Sequence, residues 1–289
     1  MGPGRRSRAS PVRLPGVSDK NEDRRRAARD RLVQRREQDR TRERRRRTLI
    51  VATAVVGVLA LAAVIGVIAA DAGKDDQDHE AGPAVTPSGA VGEDGLALRV
   101  GADDAPSTLT VWEDFRCPAC AQFENAFRDT ITELADSGQL KVEYHLVTII
   151  DGNLGGSGSL RAANAAACAQ GVGMFAPYHD VLYRNQPTET DDAFADNSKL
   201  IELAGKVDGL DTPGFRTCVE DGTHDSWVEK SGDAFDDGGF EGTPTVLLNG
   251  ESVFPKKGDE QISVANLKKW VAAANKGKKP GTVGATPSP

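Results

Sequence analysis

Between residues 95 and 275 the apolar positions change period in a readable order. "TLTVWEDF", Thr108 to Phe115, is short, β-prone and bracketed by Pro106 and a cysteine pair, which predicts a strand. Cys120, Phe123, Phe127, Ile131 and Leu134 follow at spacings of 3, 4, 4 and 3. That spacing puts them on one face of a helix, and Ser137-Gly138 closes it. "LKVEYHLVTII" then alternates, with Leu140, Val142, Tyr144 and Leu146 on one face and His145 on the other. From Asp151 to Gly239 no strand pattern appears; "SLRAANAAACAQ", "APYHDVLYRN", "NSKLIELAGKV" and "DTPGFRTCVED" read as helices broken by Gly and Pro. Trp227 and Phe235, eight apart, mark a further helix. His179 and His224 fall in this block and read as packing or surface histidines. "TVLLNGESVFP" predicts a hairpin, because Asn-Gly between two apolar runs favours a type I′ turn. Ser263 caps a last helix with the stripe Val264, Leu267, Val271 and Ala274, and "GLALRV", Gly95 to Val100, offers an extra edge strand. The first two strands are joined through a helix and are expected to be parallel with a right-handed crossover, with the hairpin adding antiparallel partners. The class is α/β with a helical insertion over about 151–239.

Charge divides the chain before this domain begins. Residues 1–47 carry 18 Lys and Arg against 7 Asp and Glu, whereas the rest carries 18 against 36. At the boundary, Thr48 to Ala70 holds 23 residues without a charge. As a helix this run spans about 34 Å, enough for a hydrocarbon core of roughly 30 Å. It exceeds the apolar run of a cleavable signal peptide, so a transmembrane anchor is the expectation. Arg44 to Arg47 abut one end and Asp71, Asp75 and Asp76 follow the other. The positive-inside rule then places the N-terminus in the cytoplasm and residues 71–289 outside, in a single-pass cell-membrane protein. Arg24 to Arg47 offer charge for gripping nucleic acid or anionic lipid, but with no aromatics between the arginines and no nucleic-acid motif the leader reads as a retention signal on the inner leaflet. Residues 71–94 are rich in Gly, Pro and Asp and are expected to form a flexible linker, with a reach of roughly 27 Å. The tail 276–289 is low in apolar residues and is expected to fray.

All four cysteines lie on the expected outer side. An even count in an oxidising compartment favours disulfides, so Cys168 and Cys218, both in the helical insertion, are expected to form a structural bridge. Cys117 and Cys120 straddle Pro118-Ala119 at the junction of strand and helix. Pro118 suits the first turn, where its missing N–H costs nothing. Cys117 heads the helix, where the macrodipole and unpaired N–H groups favour an anion, so its thiol is expected to ionise early and stay exposed. Cys120 belongs to the apolar stripe and is expected to be buried. A zinc site wants four N/S ligands, and Cys168 and Cys218 supply no second close pair; redox chemistry is favoured over metal binding or an inert staple. Glu113 and Asp114 lie beside the motif as candidates to assist proton transfer, the alternative being two solvated acids at a strand end.

The order strand, helix, strand, helical block, hairpin, helix is that of a thioredoxin fold with a helical insertion. On "WEDFRCPACAQFE", "AANAAACAQG" and "GGFEGTPTVLLNG" the chain resembles the DsbA-like thiol:disulfide oxidoreductases of the thioredoxin superfamily, in particular the membrane-anchored group of high-GC Gram-positive bacteria. The resemblance covers about Gly95 to Ala274. It implies that Cys117 attacks, that Cys120 resolves, and that Pro244 is a cis-proline presenting the Thr243 backbone to an extended substrate. It implies no cofactor beyond the Cys117–Cys120 disulfide. It also implies secreted or envelope substrates with cysteines, and a membrane redox partner such as a vitamin K epoxide reductase homologue. Two departures stand out: Pro118-Ala119 replaces the Pro-His of the best-known strongly oxidising member, and Val111 stands where cytoplasmic thioredoxins carry a buried acid. An oxidase is the leading expectation, a reductase or isomerase the second, and a binding module without turnover the third. No dimerisation segment is evident, and a monomer is expected.

Overall fold

A computed structural model of the chain describes residues 84–283. The arginine-rich leader 1–47, the apolar run 48–70 and most of the expected linker lie outside the described residues. Among the described residues no helix is long and apolar enough to cross a membrane.

A five-stranded sheet runs in the order β1-β3-β2-β4-β5. Its strands are β1 (Leu98–Val100), β2 (Thr108–Glu113), β3 (Lys141–Leu146), β4 (Thr245–Leu248) and β5 (Glu251–Ser252). β2 and β3 are parallel, with Val111 opposite Tyr144, and are connected through α1 (Pro118–Asp136). β4 lies antiparallel on the other side of β2, and β1 closes the far edge antiparallel to β3. The β4–β5 turn has Asn249 at φ 51° and Gly250 at φ 83°, as a type I′ turn requires. Asn249 also accepts a hydrogen bond from the Thr108 amide through Oδ1 at 2.9 Å, which ties the turn to the start of β2. A second, two-stranded ribbon, β6 (Lys256–Lys257) with β7 (Glu260–Gln261), was not legible in the pattern because both strands are short and exposed.

The insertion comprises α2 (Ile149–Leu154), α3 (Gly158–Gln170), α4 (Phe175–Arg184), α5 (Asn197–Ala204), α6 (Pro213–Glu220) and α7 (Asp225–Asp237). α3 is its hub: Ala162, Ala163, Ala165, Ala166, Ala167 and Ala169 are all fully buried. Alanines this small let neighbouring helices approach closely, which explains an alanine run that alone signals only helix propensity. α8 (Val264–Ala274) ends the fold, capped by Ser263 Oγ accepting from the Asn266 amide at 3.1 Å.

The two faces of β2 set the position of the site. Leu109, Val111 and Glu113 share one face, and Leu109 and Val111 join the main core. Trp112 points the other way into a small cluster with Val147 and Phe235, stacked on His145 at 3.9 Å between ring centroids.

Two boundaries differ from expectation. The expected linker runs to residue 94, but from residue 84 the chain is strapped onto the insertion. The Val85 carbonyl lies 2.6 Å from His224 Nδ1, Gln170 Nε2 donates to the Ser88 carbonyl at 3.3 Å, and Val91 bridges to Ala97. The tail, expected to fray from 276, docks through Gly281 N to the Gly138 carbonyl at 2.7 Å and Thr282 N to Asp104 at 2.7 Å. In both segments backbone groups make the contacts, and composition reports only side chains.

Candidate active site

The site forms where β2 ends and α1 begins. Cys117 is the N-cap of α1, with φ −73° and ψ 118°, and Pro118 occupies the first turn. The turn between strand and helix is built from buried polar groups. Asp114 Oδ1 accepts from the Arg116 amide and from Ser159 Oγ, both at 2.7 Å, and its Oδ2 accepts from the Ile150 amide at 2.9 Å. Gln186 Nε2 donates to the carbonyls of Phe115 and Cys117, each at 2.9 Å. The Arg116 guanidinium is buried, pairs with Asp151 at 2.5 Å and Asp192 at 3.0 Å, and donates to the carbonyls of Gly155 and Glu189. The helical insertion thus grips the active-site turn, and it does so through Ser159, Gln186, Asp151 and Asp192.

Cys117 and Cys120 are both thiols, and both are largely covered: Cys120 is 0% exposed and Cys117 only 6%. The burial of Cys120 follows from its place on the apolar stripe. The expectation that Cys117 stays exposed needs correction, since the Thr243-Pro244 segment packs beside it. The Thr243–Pro244 bond is cis, and Cys117 Sγ lies 3.3 Å from the Thr243 carbonyl. A second cis bond, Phe254–Pro255, carried no sequence signal.

The two thiols titrate in opposite directions. A hydrogen bond from the Cys120 thiol, chiefly, brings Cys117 down to about 6. Burial opposes this; the Thr243 side chain and the amides of Cys120 and Ala119 reinforce it. The Thr243 carbonyl favours the protonated thiol, but the donors outweigh it. The first-turn amides are the local form of the helix dipole, so the dipole contributes, yet the neighbouring thiol contributes more. Burial, followed by the hydrogen bond to Cys117 and the charges of Cys117 and Glu113, pushes Cys120 well above the ordinary thiol range. Cys117 is the thiolate of the pair, and Cys120 keeps its proton.

Glu113 and Asp114 are not solvated acids at a strand end; both are 0% exposed. Burial raises Asp114 to about 7 against the hydrogen bonds from Ile150, Arg116 and Ser159. Glu113 Oε1 lies 2.7 Å from His179 Nε2 on α4. Burial disfavours the His179 imidazolium, but the charge of Glu113 and the hydrogen bond to it, with the nearby carboxylates of Asp180 and Glu124, raise it to about 10. His179, read as a packing or surface residue, is therefore a buried ionic partner. Arg116, Gln186, Ser159 and Glu124 were missed as well. Glu124 alone had a local signal, since it lies four residues after Cys120 on the same helical face. Cys168 and Cys218 are bonded to each other, with Cα atoms 5.9 Å apart, and join α3 to α6.

The chain matches the family model described as Thioredoxin over residues 94–273. It is 26% identical over 159 residues to a "Probable disulfide bond formation protein D" of Bacillus cereus, covering 54% of this chain and 71% of that protein. The crystal structure of DsbA from Mycobacterium tuberculosis in its reduced form is 28% identical, with a TM-score of 0.54, covering 64% of this chain and 95% of that one. BdbD from Bacillus subtilis, oxidised, shares the fold at 23% identity and a TM-score of 0.53, covering 67% of this chain and 98% of that one. With a paired thiolate and thiol at the head of α1, the chain belongs to the thioredoxin family, as a DsbA-like thiol:disulfide oxidoreductase of the oxidase type.

Proposed function

We propose that the chain is a membrane-anchored, extracytoplasmic disulfide donor. Residues 48–70 span the membrane, the leader 1–47 stays in the cytoplasm, and the catalytic domain works outside. Its substrates are secreted or envelope proteins with free cysteines. A membrane partner, a vitamin K epoxide reductase homologue, restores the Cys117–Cys120 disulfide. The observation that carries the chemistry is the inequality of the pair: an acidic Cys117 at the helix head over a fully buried Cys120.

A substrate thiolate attacks Cys117 Sγ, the sulfur nearer the surface. The Cys117–Cys120 bond breaks and its electron pair leaves on Cys120, which takes up a proton because burial disfavours its anion. A second substrate thiolate then attacks the substrate sulfur of the mixed disulfide and expels Cys117 as a stabilised thiolate. The substrate loses two electrons and gains one disulfide; the enzyme gains both electrons. Residues Thr243 and Pro244 hold the substrate strand beside the reacting sulfur. Asp114, buried and titrating near neutrality, holds the turn, and the charge of Glu113 helps keep the proton on Cys120.

Oxidised chain mixed with a reduced, unfolded secretory protein tests this reading. The expected result is loss of two substrate thiols per chain and none with Cys117→Ser. Failure to oxidise, with reduction of disulfide-bonded substrates instead, overturns the direction. Protease added to intact spheroplasts is expected to remove the catalytic domain and spare the leader; a protected domain overturns the topology.

A further inference from the structure

Close to Cys120, whose thiol feels the charge of Glu113, lies a buried polar cluster to which the thiol exchange assigns no bond-making role. The alternation of β2 turns Glu113 into the core, and the helical period of α1 turns Glu124 onto the same buried face. His179 comes to them from α4. One ligand-type atom from each of Glu113, Glu124 and His179 lies within 4.8 Å of the other two. Glu113 is 0% exposed, Glu124 1% and His179 2%.

Two features distinguish this cluster from a closed ion pair. Glu113 Oε2 and Glu124 Oε1 have no hydrogen-bond partner among the described residues. Burying a carboxylate oxygen without a donor costs at least about 1–3 kcal/mol, so such atoms call for a counterpart. The cluster also opens onto a cavity of about 270 Å³ between α1, β3 and α4, lined by Glu124, Tyr144, His179 and Asp180 among others. An ion therefore has a way in.

We propose that Glu113, Glu124 and His179 form a binding site for a zinc-type divalent cation, entered from this cavity. The donor set is two carboxylates and one imidazole. That set suits zinc better than calcium, which takes six to eight oxygens, or copper(I), which prefers sulfur. Binding the cation releases the proton that His179 shares with Glu113, and the two buried carboxylates then offset the cation. The surroundings match the outer shell of such sites, where the second ring nitrogen of a ligating histidine faces a carboxylate. His179 Nδ1 faces Asp180 Oδ1 at 3.8 Å, and Asp180 is itself held by Arg128 at 2.9 Å. Zinc bonds of about 2.0–2.1 Å set tetrahedral donors about 3.3 Å apart, so Glu113 and His179 must part by about 0.6 Å and Glu124 must close in from within 4.8 Å. Glu124 and His179 both line the cavity, so water from it can complete the coordination.

The test uses the full chain with both disulfides formed, so that no thiol competes for the metal. Calorimetric zinc titration is expected to give one equivalent, with a rise in melting temperature. Cobalt is expected to give ligand-field bands without a thiolate charge-transfer band. Glu124→Gln, which keeps the side-chain shape, and His179→Gln are each expected to weaken binding at least about tenfold. If His179→Gln fails to fold, Glu124→Gln decides. Absence of zinc binding, or undiminished binding in folded Glu124→Gln, overturns the site.

Discussion

The low thiol pKa of Cys117 has a consequence for stability that can be measured without any substrate. A group whose pKa is depressed on folding contributes stability above its unfolded value and loses it as pH falls through the folded value. For Cys117 the unfolded value is 9.0 and the folded value about 6, so the window runs between them. Linkage then gives the dithiol form less than about 1 kcal/mol at pH 6 and roughly 3 kcal/mol at pH 8. The disulfide form has no thiolate and gains none of this. Cys120 contributes nothing in the same range, because its proton stays on in both states. Asp114 has the opposite sign: its pKa is raised to about 7, so its contribution is lost as pH rises through that value. That term is common to the dithiol and disulfide forms and falls out of their difference. The perturbation is therefore pH, and the assay is denaturant unfolding of both forms with the Cys168–Cys218 bridge intact. The difference in unfolding free energy, dithiol minus disulfide, should rise by roughly 2 kcal/mol from pH 6 to pH 8. A flat difference over that range would refute the assignment of Cys117 as the thiolate. The Cys120→Ala variant removes the donor that contributes most, so the thiolate titration of Cys117, followed by ultraviolet absorbance, should move upward. A midpoint that stays near 6 would transfer the credit to the helix amides.

Two further predictions concern the grip of the insertion on the site. Arg116→Met leaves Asp151 and Asp192 without their buried cation and should cost about 3–5 kcal/mol, read by chemical denaturation; a loss under about 1 kcal/mol would mean these acids find other partners. Replacing Cys168 and Cys218 with Ser opens a loop of separation 50 and should cost about 4 kcal/mol in the chain-entropy model while thiol exchange at Cys117 continues. Unchanged unfolding would show that the bridge carries no stability.

The parts of the site legible in the sequence were those set by local period. The stripe through Cys120, Phe123 and Phe127 placed one cysteine inside and one at the helix head, and the Asn249-Gly250 turn paired β4 with β5. The extended reading of Thr108 to Phe115 also contained the burial of Glu113, since Leu109, Val111 and Glu113 share a face. A carboxylate beside a loop nonetheless reads as solvated until its counterion is known, and His179 lies 66 positions away. Arg116, Gln186 and Ser159 were invisible for the same reason: their partners are long-range carbonyls and carboxylates, and a hydrogen bond across 70 residues leaves no period. The cover over Cys117 arises from the packing of the Thr243-Pro244 segment onto a helix head distant in sequence. The strap from residue 84 and the docked tail were hidden because main-chain atoms make those contacts.

The central claim is that Cys117 alone exchanges with substrates while Cys120 stays shielded. Trapping of mixed disulfides in cells expressing Cys120→Ala or Cys117→Ala, resolved on non-reducing gels, tests it most directly. Cys120→Ala should accumulate substrate adducts that a thiol reductant releases, and Cys117→Ala should accumulate almost none. Equal trapping by the two variants, or adducts formed through Cys120 alone, would contradict the account.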